Sequence, residues 1–147
     1  MDGPEMHLGH YVRLLQHSQE TLTHAFREIG DAHASEPDVR IDCIKFAAQT
    51  DQHVTKLSLA LQRYADDLPN EPDRLLSGLY AGPRTGALGL LRDLHDLYLL
   101  TSECDIASSL VGQGARAARD RELIAITEQC DRQLAVQLAW LRGRMKQ

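Results

Sequence analysis

The sequence predicts an all-α fold, an antiparallel four-helix bundle forming a single domain over residues 1–147, on three observations. Leucine and alanine dominate an apolar fraction of 43%, while aromatics reach only 5%, a balance that favours helix over sheet. Apolar side chains recur at helical spacing along four segments. The breaks between those segments are short, long and short, as in bundles with one long crossover between helices two and three.

The first segment runs from about Met6 to His33, with Leu8, Val12, Leu15, Leu22, Phe26 and Ile29 on one stripe. Ser35-Glu36-Pro37-Asp38 then reads as a new helix start: a capping residue, proline in the first turn and acids near the positive end of the dipole. Helix two carries Val39, Cys43, Phe46, Ala47, Val54, Leu57, Leu61 and Tyr64 and is expected to end near Asp66. Prolines and glycines break the stretch from Asp67 to Pro83, with room for one helical turn around Arg74 to Leu79. Seventeen extended residues reach about 56 Å, more than the roughly 42 Å of a 28-residue helix, so this link can cross the whole bundle.

Helix three is predicted from Thr85 to Val111, stopped by Gly112-Gln113-Gly114, and helix four from Ala117 to Met145. Helix three is apolar on nearly every side: Leu88, Leu91, Leu99, Ile106 and Leu110 form one stripe, and Leu90, Leu94, Leu97 and Leu100 lie towards the other. Such a helix needs a second cover, either the crossover through Leu75, Leu76, Leu79 and Tyr80 or a second subunit. A homodimer through helix three is therefore expected.

A net charge of −5 and a pI near 5.7 argue against nucleic acid as a partner. No run of eighteen apolar residues or basic, apolar leader stands in the sequence, which argues against membrane spanning and secretion. Cys43, Cys104 and Cys130 are odd in number and widely spaced, so neither a disulfide framework nor a zinc ribbon is indicated and a reducing cytoplasm is the expected location. Cys43, on a core stripe, reads as a small buried hydrophobe. No phosphate loop, nucleophile elbow or His-Glu-x-x-His motif occurs.

Candidate chemistry lies where polar residues interrupt the apolar stripes. His10, His17 and His24 recur every seven residues but opposite the leucine stripe, which reads as a solvated face. At mid-bundle stand Gln19 on helix one, Thr50 and His53 on helix two, His95 on helix three, and Thr127 and Cys130 on helix four, with Gln137 two turns on. Gln19 precedes Thr50 by 31 residues and His95 precedes Thr127 by 32, and His53 and Cys130 each follow at three residues. Asp93 and Asp96 point away from the stripe of His95, so a carboxylate-oriented imidazole there requires a neighbouring helix.

This pattern of two related hairpins resembles the ferritin-like superfamily, where helices one and three each give a carboxylate and helices two and four each give a Glu-x-x-His pair to a di-metal centre. The resemblance covers nearly the whole chain in architecture and spacing. It implies a site at the six residues above, but Gln19, His95, Thr50 and Thr127 stand where carboxylates would, and Cys130 where the second histidine would. Only His53 keeps its type. The expectation is an accessory or interaction protein with a degenerate, metal-free centre, in which the polar layer is internally hydrogen-bonded. The alternative is a metal-binding protein or oxidoreductase in which His53, His95 and Cys130 converge on a single ion, zinc or copper rather than di-iron.

Overall fold

The computed structural model describes residues 4–67 and 80–147. Four α-helices pack as a bundle: α1 (Pro4–Ala32), α2 (Pro37–Leu61), α3 (Gly86–Ala118) and α4 (Arg121–Met145). A 3-10 helix over Gln62–Asp67 extends α2. No strand occurs among the described residues, and no described helix is long and apolar enough to cross a membrane. The helical turn expected around Arg74 to Leu79, and the cover expected from Leu75, Leu76 and Leu79, lie outside the described residues.

Helix α1 packs against α2 and α3, and α4 packs against both of these in turn, so α1 and α4 sit on one diagonal and α2 and α3 on the other. Polar contacts at the two ends fix the directions. At one end, Arg144 near the close of α4 bonds Asp38 (2.7 Å) and Glu36 (3.2 Å) at the start of α2. At the other, Tyr64 (2.6 Å) and Arg63 (2.8 Å) beyond α2 bond Asp120, which also caps α4 by accepting from the Leu123 N–H at 3.1 Å. Burial works to raise the Asp120 carboxyl, but the bonds from Tyr64, Arg63 and Leu123 outweigh it and hold the group below its ordinary value.

The start of α3 is locked to the end of α1. Asp93 is fully buried, and its carboxylate accepts from His33 Nε2, from the Arg84 backbone N–H and from Arg84 Nη1, each at 2.8 Å. The same guanidinium reaches Asp96 at 2.9 Å. The chain thus leaves α2 at one end of the bundle and enters α3 at the other, and the helices run up, down, down, up.

Helix α3 does not stop at Gly112-Gln113-Gly114 but continues to Ala118, where Arg119 takes the left-handed conformation (φ 57°). The two glycines serve close approach instead of termination. A Cβ on Gly114 would stand 2.8 Å from Leu8 Cδ1 of α1, and one on Gly112 would stand 3.4 Å from Thr127 Oγ1 of α4. Helix α4 accordingly begins at Arg121, four residues later than predicted.

The core runs the length of the bundle through Leu8, Leu15, Leu22, Phe26, Phe46, Leu57, Leu97, Leu123, Leu134 and Leu141. Removing the buried charge at its end has a defined cost. Asp93→Asn keeps the shape but leaves the Arg84 and His33 donors without their anion, and is expected to lower stability by about 3 kcal/mol in urea unfolding. A loss below about 1 kcal/mol would show that this lock does not hold α3.

Candidate functional site

Five of the six residues expected at mid-bundle are buried inside it: Gln19, Thr50, His53, Thr127 and Cys130. The sixth is a correction. His95 is exposed and lies on the outer stripe of α3 with Leu88, Leu91 and Ile106, so it does not join His53 and Cys130. The cause is the rotation of α3: Asp93 and Asp96 turn inward to meet His33 and Arg84, which carries the opposite side of the helix, with His95, into solvent.

The two threonines are spent on local bonds. Thr50 Oγ1 donates to Ala47 O at 3.0 Å and meets the Thr23 hydroxyl, and Thr127 Oγ1 reaches Leu123 O (3.2 Å) and Ile124 O (3.0 Å). Gln19 Nε2 lies 3.9 Å from Cys130 Sγ. Further along, Gln137 Nε2 donates to Gln49 Oε1 at 3.2 Å, and Lys56 Nζ donates to Gln129 Oε1.

Not every polar atom in this layer is satisfied. Both ring nitrogens of His53 and the amide oxygens of Gln19, Gln133 and Gln137 are buried without a hydrogen bond among the described residues. Burial, reinforced by the Lys56 charge and only partly opposed by the nearby Gln133 amide, lowers the His53 pKa from 6.5 to about 4. At neutral pH this imidazole is uncharged. Burial also raises the thiols: Cys130 to about 12, with the Asp131 charge adding and Lys56 opposing, and Cys104 upwards with the Cys130 charge adding.

These donors do not fit a di-metal carboxylate centre. None of Gln19, Thr50, His53, Thr127 and Cys130 is an Asp or Glu, and the hydroxyls of Thr50 and Thr127 are committed to backbone carbonyls and to Thr23. Among the described residues no three His, Cys, Asp or Glu side chains gather closely enough to hold one metal ion. A neutral imidazole and a protonated thiol are what the layer offers chemically.

Two sites escaped the sequence reading. His33, at the expected end of helix one, is buried and is the imidazole that Asp93 orients; the available signal is the Asp93 and Asp96 pair, one turn apart in an otherwise apolar helix. The histidine face of α1 is also less solvated than its wheel position implies. His17, Glu20, Thr21, His24 and Glu28 line one side of a groove of about 480 Å3 whose other side is Tyr80, Ala81 and Gly82, and His17 Nε2 is buried within it. Burial, aided by the charges of Glu28, Asp93 and Asp96, holds the Tyr80 phenol above its ordinary value.

The orphaned histidine makes a pH prediction. Below pH 6.5 the unfolded chain protonates His53, while the folded chain resists until about pH 4. The contribution of this group to stability is therefore whole above pH 6.5 and is lost as pH falls towards 4, by at most about 3 kcal/mol. His53→Leu removes two unsatisfied nitrogens at similar volume, and is expected to stay within about 1.5 kcal/mol of wild type at pH 7. It should also flatten the loss between pH 6.5 and 4, measured by urea unfolding across that range. An unchanged acid slope would assign the sensitivity to other groups.

No known protein family, curated protein or solved structure matches this chain.

Proposed function

We propose that the chain is an accessory or interaction protein on a ferritin-like bundle, with a degenerate mid-bundle centre, that associates with itself through α3. The observation that carries this reading is the outer stripe of α3. Leu88 is 69% exposed, Ile106 59%, Leu110 48% and Leu91 44%, on a helix whose inner stripe of Leu90, Leu94, Leu97 and Leu100 is buried. The stripe from Leu88 to Leu110 is about 33 Å long. Isolated exposed leucines are ordinary, but an aligned row of them on one helix is the kind of patch that marks a docking face.

The described part of the crossover does not cover that stripe. Tyr80 to Gly82 lie along α1, and Arg84 turns to Asp93 and Asp96 on the inner side of α3. The ferritin-like assignment rests on the up-down-down-up order and on polar residues recurring at related positions in the two hairpins.

A second reading has one observation in its favour, the two unpartnered ring nitrogens of His53. In it, His53 and Cys130 hold a single zinc or copper ion. Elemental analysis decides it: near-stoichiometric metal after reconstitution, lost in His53→Leu, supports this reading, and its absence from reconstituted wild type removes it.

The interaction reading is tested by Leu88→Glu combined with Ile106→Glu. Both side chains are in solvent, so the variant is expected to keep its helical circular dichroism and melting temperature. Light scattering behind size exclusion should then report a smaller assembly than wild type. Identical masses for the two proteins would contradict the reading.

A further inference from the structure

Arg92 and Glu103 flank the outer stripe of α3 on the same side, three turns apart. Among the described residues neither makes an ion pair or a hydrogen bond. Glu103 is buried at the edge of the stripe with no partner, and burial raises its carboxyl pKa. Leaving a carboxylate in that position is costly unless a cation reaches it. On its own chain Arg92 stands about 16 Å away along the helix axis, too far to serve.

An antiparallel copy brings the two together. A two-fold axis crossing α3 between Tyr98 and Leu99 sets Leu91 level with Ile106, and Leu88 within one residue of Leu110, of the partner subunit. Because such an axis keeps each flank on its own side, it also sets Arg92 beside Glu103 of the partner subunit, twice by symmetry. A parallel pairing leaves the two charges as far apart as they are in one chain. Resting on the self-association reading above, we infer that the occupant of the α3 stripe is a second copy of this chain, packed antiparallel about an axis between Tyr98 and Leu99, with reciprocal Arg92 to Glu103 ion pairs setting the register.

The area sets the strength. A stripe about 33 Å long on a helix about 10 Å wide offers on the order of 330 Å2 per subunit, below the roughly 800 Å2 of a standard interface. The dimer is therefore in the weak, exchanging class, where two ion pairs are a large share of the specificity.

The test is a charge reversal read as a dimer dissociation constant by sedimentation. Arg92→Glu and Glu103→Arg are each expected to weaken the dimer about tenfold or more, and the double reversal to recover most of the loss. A wild-type dimer indifferent to both single reversals would overturn the register while leaving self-association standing. A wild type that stays monomeric would overturn the reading beneath it.

Glu103 is buried and its reversal can unfold the chain, so register is also read by disulfide trapping on exposed positions. Leu88→Cys mixed with Leu110→Cys should give a mixed cross-linked dimer faster than either variant alone, the native cysteines all being buried. Preferential Leu88→Cys self-trapping would overturn the antiparallel register.

Discussion

The buried carboxylate of Asp93 sets the rotation of α3, and much of the molecule follows from that rotation. A carboxyl group with no exposure must find hydrogen-bond partners, and His33 and the two Arg84 groups are the donors within reach. Meeting them ties the end of α1 to the start of α3 and turns Asp93 and Asp96 inward. Leu90, Leu94, Leu97 and Leu100 then fill the core, and Leu88, Leu91, Ile106 and Leu110 face solvent. A helix with two apolar stripes can bury only one of them in a four-helix bundle. The second is left at the surface.

The polar middle of the bundle is uncharged and in part bonded locally. Thr50 and Thr127 are held by backbone carbonyls, burial keeps the Cys130 thiol protonated, and His53 is neutral at physiological pH. Orphaned nitrogens and amide oxygens make this layer a cost to stability, one that a wholly apolar layer would not carry.

The helix count, the order of the connections and much of the core were legible in the sequence, because the apolar stripes of α1 and α2 each have a single reading on the wheel. Helix α3 has two. The stripe from Leu88 to Leu110 carries His95, whose mid-helix place among apolar residues assigns it to the core. The true inner face carries Asp93, Asp96 and Ser108, which periodicity alone assigns to solvent. Only their tertiary partners, His33, Arg84 and Asp131, make that face an inner one. Gly112 and Gly114 misled for a related reason: glycine next to a predicted helix end signals termination, but here it admits Leu8 and Thr127.

The central claim, that the outer stripe of α3 is an interface between copies of this chain, is tested most directly by the mass of the unmodified protein in sedimentation equilibrium across micromolar concentrations. The account predicts a reversible rise from the 16.4 kDa of one chain towards twice that value. A constant mass of one chain at every concentration would contradict it.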